Sequence, residues 1–139
     1  MSIKRKSTAV WNGTGKEGTG KLTSQSGVLS DTQYSFNTRF AEGIGTNPEE
    51  LIAAAYAGCY SMKLAFNLQG AGFTADEIKT ECVVILEDGG IKNISLSTAV
   101  KAANLQPEKL QELALDAKMN CPISQLLNAN VDFNAVLIP

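Results

Sequence analysis

Thr46-Asn47-Pro48-Glu49-Glu50-Leu51-Ile52-Ala53-Ala54-Ala55-Tyr56-Ala57-Gly58-Cys59-Tyr60-Ser61-Met62 reads as the opening of a long, mostly apolar helix with a cysteine well along its length. Asn47 suits the N-cap, Pro48 the first helical position and Glu50 the third, a capping box of Asn and Glu. Leu51, Ala55, Gly58, Cys59, Met62, Ala65, Phe66 and Gln69 recur at helical spacing, and all but Gln69 are apolar or small. Ala53 and Ala54 leave little polar surface before Ser61 and Lys63. A helix so apolar around its circumference is expected to be buried on several sides. Gly70-Ala71-Gly72 supplies its stop.

The totals describe an ordinary globule. With 139 residues the chain is expected to form one domain, residues 1–139. A chain of this size buries roughly 68 % of its unfolded surface, enough for a core without disulfides or metal. A net charge of −2 gives no electrostatic footprint for nucleic acid or an anionic membrane. No apolar run reaches transmembrane length. The basic Met1-Ser2-Ile3-Lys4-Arg5-Lys6 lacks the apolar stretch that would follow in a signal peptide, so a cytoplasmic location is expected. The chain has no histidine, which removes Ser-His-Asp and Cys-His machinery and every His-ligated metal site. Its three cysteines, Cys59, Cys82 and Cys121, form no Cys-x-x-Cys pair. Metal and cofactor are therefore not expected.

Around the central helix the pattern is α+β rather than alternating βαβ. Strands are expected over residues 3–12 and Lys21–Ser24, with a Gly/Thr-rich bend between them. Tyr34, Phe36 and Thr38 alternate with Ser35, Asn37 and Arg39, the period of a strand that ends at Arg39. After the helix, Ile78, Thr80, Cys82, Val84 and Leu86 share one strand face. Asp88-Gly89-Gly90 turns the chain into a returning strand over Ile91–Lys101. Gln106-Pro107-Glu108 opens a helix with Leu110, Leu113, Ala114 and Ala117 on its apolar stripe. Cys121-Pro122 starts a short helix, Ile123–Asn128, and Val131, Phe133, Ala135 and Leu137 form a last strand.

Four residues are candidates for chemistry. Cys59 lies mid-helix, where the helix terminus cannot activate it and burial would raise its pKa; packing is the plain alternative. Activation would need a cation from elsewhere, and Arg39 is the candidate, against the reading of an ordinary strand-end arginine. Cys121 lies at the start of the Pro122 helix, where backbone N–H groups favour a thiolate. On local electrostatics alone Cys121 is the better nucleophile, with a simple capping role as the alternative. Cys82, on an inward strand face, reads as core. Glu49 and Glu50 offset the helix dipole. Glu49 precedes Cys59 by ten residues, roughly 15 Å of helical rise. It can therefore serve a Cys59 site only from a partner subunit or through a broken helix.

Ser26-Gly27-Val28-Leu29, Phe36-Asn37-Thr38-Arg39-Phe40, Gly45-Thr46-Asn47-Pro48-Glu49-Glu50-Leu51 leading to Gly58-Cys59, and Cys121-Pro122-Ile123-Ser124-Gln125 closely resemble the OsmC/Ohr family of osmotically inducible and organic hydroperoxide resistance proteins. The resemblance covers nearly the whole chain, and the Phe-Asn-Thr-Arg-Phe stretch favours the OsmC branch.

The resemblance implies an OsmC-like α+β fold, with a long buried central helix flanked by antiparallel sheets in an intertwined homodimer whose active sites lie at the subunit interface. It implies a thiol peroxidase that reduces organic hydroperoxides, and peroxide more generally. Cys59 matches the peroxidatic cysteine, Cys121 the resolving cysteine, Arg39 the arginine that activates the thiolate and Glu49 the glutamate that holds that arginine through a bidentate pair. This overrules the electrostatic preference for Cys121 as nucleophile. A lipoyl-type or other dithiol is the implied reductant. Apolar Leu51, Tyr56, Met62 and Phe40 favour alkyl hydroperoxides over hydrogen peroxide. The rival function is a non-enzymatic stress-response dimer that binds a small ligand and needs no such set of four residues.

Overall fold

Trp11 and Tyr34 pack at a tilt across a glycine in the N-terminal strands. In the computed structural model, which describes residues 1–139, β1 (Ser7–Asn12), β2 (Thr19–Ser24) and β3 (Thr32–Tyr34) form an antiparallel sheet in the order β1-β2-β3. Gly20 lies opposite Trp11 on one side and Tyr34 on the other. The two rings close over it with centroids 5.4 Å apart, and a Cβ at Gly20 would run into both. The expected strand over residues 3–12 begins only at Ser7, which pairs with Ser24. Before it, the Lys6 carbonyl accepts from Gln25 N–H at 3.0 Å, but Lys6 gives its own N–H to the Gln25 side chain rather than continuing the backbone ladder.

The strand expected through Tyr34, Phe36 and Thr38 stops at Tyr34. Phe36–Phe40 is instead a short helix, α1. The reason is local. Ser35 Oγ accepts from Thr38 N at 3.3 Å while Thr38 Oγ1 accepts from Ser35 N at 2.7 Å, a reciprocal capping box that outweighs the period-two pattern. Arg39 thus sits in the last turn of a helix rather than at a strand end.

The chain divides into two compact units, Met1–Leu51, which holds these elements, and Ile52–Pro139. The long helix α2 runs unbroken over Pro48–Gly70, as expected. Its N-cap is Asn47, whose Oδ1 accepts from Glu50 N at 2.7 Å. At the far end Gly72 takes φ +89° and Phe73 N–H turns back to the Leu68 carbonyl at 2.9 Å.

In the second unit β4 (Ala75–Glu87) and β5 (Gly90–Ala102) form a long hairpin. Its turn places both Asp88 and Gly89 at positive φ, 50° and 75°, matching the twist of the strands. Helices α3 (Pro107–Asn120) and α4 (Pro122–Leu126) carry the chain across to β6 (Asn130–Leu137), which pairs parallel to β5. The sheet is therefore mixed rather than wholly antiparallel. A connection containing two helices is long enough to return the chain in the same direction.

The core of this unit collects Tyr56, Tyr60, Leu64 and Leu68 from α2, Ile94, Leu96 and Val100 from β5, and Leu110, Ala114 and Ala117 from α3. The buried edge of α2 is thus the row at steps of four from Tyr56. Most of the stripe singled out in the sequence lies elsewhere. Ala55, Gly58, Met62, Ala65, Phe66 and Gln69 are exposed, Met62 at 64 % and Phe66 at 63 %. Apolar residues all around the helix left the choice of face open. No helix is long and apolar enough to cross a membrane.

Candidate active site

The second unit brings two of the four predicted residues together. Cys59 stands half-buried on α2, and Cys121 is fully buried at the junction of α3 and α4. The Cys121 thiol donates to Cys59 Sγ at 2.6 Å. Pro122 at the first position of α4 makes this junction. It cannot continue the α3 hydrogen-bond ladder, so the chain breaks at Cys121 in extended geometry (φ −64°, ψ 128°) and restarts as a new helix. Cys121 is thereby fixed as the last residue held by α3, its N–H bonded to the Ala117 carbonyl at 3.0 Å.

The electrostatic preference for Cys121 as a thiolate is reversed by its surroundings. Burial pushes the Cys121 thiol up, and the hydrogen bond to Cys59 pushes it in the same direction. Backbone hydrogen bonds with Ser124 and Ile123 pull it down by less. The helix-start effect is present, and desolvation exceeds it. Cys82 is half-buried on β4 opposite Leu96 on β5, and burial raises its thiol as well. It packs against the core, in keeping with the structural role read from the sequence.

The sequence placed Tyr56 among the apolar surroundings of the thiol and Ser124 within the Cys121 motif, but did not pair them. Tyr56, one turn before Cys59 on α2, is fully buried, and its hydroxyl lies 3.0 Å from Ser124 Oγ, one turn after Cys121. Burial raises the Tyr56 pKa, the Ser124 hydrogen bond lowers it, and charge on Cys121, Cys82 or Cys59 would raise it further. Ser124 stood inside the Cys121-Pro122-Ile123-Ser124-Gln125 motif, which was a usable signal. Nothing local tied it to Tyr56.

The first unit brings the other two together. Arg39 Nε donates to Glu49 Oε1 at 2.9 Å, with the arginine side chain 42 % exposed and the glutamate 11 %. The pair is joined by one bond, not the bidentate fork expected. The guanidinium approaches by its Nε edge, and Glu49 Oε2 is buried without a donor. The terminal nitrogens of the arginine are left for another anion. The two residues are held by interlocking caps. Asn47 caps α2 and gives Nδ2–H to the carbonyl of Thr38 at 2.9 Å, which fixes Arg39 against the start of the helix that carries Glu49.

Arg39 also lines a cavity of about 220 Å³ with Trp11, Tyr34, Phe36, Phe40 and Pro48. Its guanidinium carbon lies 5.2 Å from the Phe40 ring centroid, and the Phe36 and Phe40 rings pack at a tilt with centroids 4.7 Å apart. A cation beside aromatic walls suits a ligand with an anionic or polarised head and an apolar tail. Of the apolar residues expected around the thiol, Phe40 belongs to this cavity, Tyr56 is in the core of the second unit, and Met62 is on the open face of α2.

Residues 41–136 match the family described as OsmC-like protein. The chain is 42 % identical over 135 residues to the peroxiredoxin OsmC of Escherichia coli strain K12, covering 94 % of each. It is 35 % identical over 116 residues to the organic hydroperoxide resistance protein OhrB of Bacillus subtilis strain 168, covering 81 % of this chain and 85 % of that one. The crystal structure of that OhrB superposes with a TM-score of 0.68 at 34 % identity, over 98 % of both chains. An OsmC-like protein from Mycoplasma pneumoniae superposes with a TM-score of 0.79 over all of both chains at 15 % identity, a likeness of fold.

Proposed function

Because the chain belongs to the OsmC-like protein family, we propose that it is a cysteine-based thiol peroxidase that reduces organic hydroperoxides to alcohols. The observation that supports this reading best is the 2.6 Å approach of Cys121 Sγ to Cys59 Sγ. A disulfide holds its sulfurs at about 2.05 Å, so closure asks for little movement. The Cys59 thiolate attacks a peroxide oxygen. The O–O bond breaks, the alkoxide leaves and takes up a proton as the alcohol, and Cys59 becomes a sulfenic acid. Cys121 then gives up its proton, its sulfur displaces the hydroxyl of the sulfenic acid, and water leaves as the disulfide forms. A dithiol of lipoyl or other type reduces that disulfide and is itself oxidised. All the electrons come from thiols, so the cycle uses no cofactor.

Arg39 and Glu49 enter across a homodimer. α2 has no break, so the ten residues from Glu49 to Cys59 span about 15 Å of its axis. The glutamate that serves a given Cys59 is therefore the partner subunit's Glu49, together with the partner subunit's Arg39. The unpaired stripe of Ala55, Gly58, Met62, Ala65 and Gln69 on α2 is the surface through which two copies meet. In that arrangement the guanidinium stabilises the thiolate and the charge that develops on the peroxide oxygen. The aromatic cavity beside it takes the organic tail.

Intact mass before and after one equivalent of cumene hydroperoxide, followed by peptide mapping, tests the cycle. A loss of two hydrogens with a Cys59–Cys121 crosslink is expected. An unchanged mass would mean that the thiols are inert, and the small-ligand-binding dimer would take its place.

A further inference from the structure

Four residues close a ring between two helices. On α2, Tyr56 and Cys59 are one turn apart, and at α4, Cys121 and Ser124 are one turn apart. The sulfurs meet at 2.6 Å and the hydroxyls at 3.0 Å, so the two helices are pinned at two points. Ser124, one turn after Cys121, carries the second of these contacts: its hydroxyl pairs with Tyr56. Helix α4 has five residues and no side-chain N-cap hydrogen bond of its own, so its internal ladder does little to fix how it is seated. Tyr56 is immobile by comparison, fully buried on the core edge of a helix of 23 residues.

We propose that Tyr56 is a positioning residue for disulfide formation: its hydrogen bond with Ser124 seats the first turn of α4 so that Cys121 faces the oxidised Cys59. The inference rests on the peroxidase reading above. It assigns Tyr56 no contact with the peroxide and no part in the first oxidation. Its effect falls on the fate of the sulfenic acid. That acid either condenses with the Cys121 thiol, releasing water, or meets a second hydroperoxide, which oxidises it to the sulfinic acid and leaves as the alcohol. A seated α4 favours the first course.

The test is Tyr56→Phe, which keeps the ring and removes the hydroxyl, with Ser124→Ala and the double variant beside it. Each is treated with a series of cumene hydroperoxide concentrations, and disulfide and Cys59 sulfinic acid are separated by intact mass and peptide mapping. Tyr56→Phe and Ser124→Ala should each shift the sulfinic-to-disulfide ratio upward about three- to tenfold, in line with one part-buried neutral hydrogen bond. The double variant should shift it no further, because both changes remove the same bond. A general loss of packing would lower the melting temperature without this shared, non-additive change of product ratio. A wild-type ratio in Tyr56→Phe, or additive shifts in the double variant, would overturn the inference. Failure of the parent reading looks different, since Cys59 would then take up no oxygen in any variant.

Discussion

Arg39 holds Glu49 by its Nε alone, at 2.9 Å, and the second carboxylate oxygen of Glu49 is buried without a donor. Such a pair fixes the guanidinium plane while keeping its terminal N–H groups for a second anion. Arg39→Lys keeps the charge and loses the planar fork. With Arg39 acting on the thiolate and the peroxide oxygen, kcat/KM for cumene hydroperoxide should fall about 100-fold or more, a loss typical of a donor to developing charge. Glu49→Gln should fall less, about tenfold, since it loosens the arginine without removing it. Peroxide consumption coupled to a dithiol measures both. Near-normal turnover in Arg39→Lys would remove the arginine from the mechanism.

Cys121→Ser separates the two halves of the proposed cycle. Cys59 should still consume about one equivalent of hydroperoxide per site and then stop or proceed to the sulfinic acid, because no thiol lies beside it to condense. The serine hydroxyl replaces a buried thiol of similar shape, so the fold should survive. Continued cycling on dithiols would mean that Cys121 is not the resolving partner.

How much of this was legible depends on how local each determinant is. The α2 cap is written within four consecutive residues, Asn47 to Glu50, and was read directly. The stop at Gly72 and the Asp88-Gly89 turn were equally local. α1 was also local, but the Ser35–Thr38 box competed with an alternation through Tyr34, Phe36 and Thr38 that carried the stronger pattern. Tyr56 and Ser124 stand 68 positions apart, and no periodicity links them. The buried face of α2 was hidden for the opposite reason. Nearly every position was apolar, so the pattern lacked the contrast from which a face is read.

Tyr60 carries a buried hydroxyl with no hydrogen-bond partner. Tyr60→Phe should therefore stabilise the protein by about 1 kcal/mol, since an unsatisfied polar atom is removed with no change in packing. The same group shapes the alkaline limit. Burial raises Tyr60, Tyr56, Cys82 and Cys121 above their ordinary values. For such groups stability is complete below the unfolded pKa and is lost as pH rises toward the folded one. Urea midpoints should hold steady below about pH 8 and fall above it, with a further decline beyond about pH 10. In Tyr60→Phe that last decline should be smaller. A midpoint lower than wild type at pH 7 would mean that the hydroxyl is satisfied after all.

Cys82→Ala tests the plain reading of the third thiol. Cys82 is half-buried on β4 and packs against the core, so its loss should cost stability of about 1 kcal/mol and leave turnover unchanged. Steady-state peroxidase rates together with a thermal melt check both halves. A tenfold loss of turnover in a protein that melts normally would place Cys82 in the redox cycle.

Gly58 gives the sharpest test of the proposed dimer, because nothing in its own chain accounts for it. It lies inside a helix, where glycine costs about 1 kcal/mol relative to a good helix former, and beyond the helix's own adjoining backbone no atom lies within 4 Å of where a Cβ would stand. A single subunit would tolerate a larger residue there and gain helical stability. If two α2 helices cross at this stripe, the missing side chain is what allows them to approach closely. Gly58→Leu should then hold two copies apart, giving a monomer at micromolar concentration by light scattering. It should also abolish turnover, because Cys59 would lose the partner subunit's Arg39. A Gly58→Leu protein that remains dimeric and active would locate the subunit contact elsewhere. A monomer that keeps full activity would mean that each chain completes its own site.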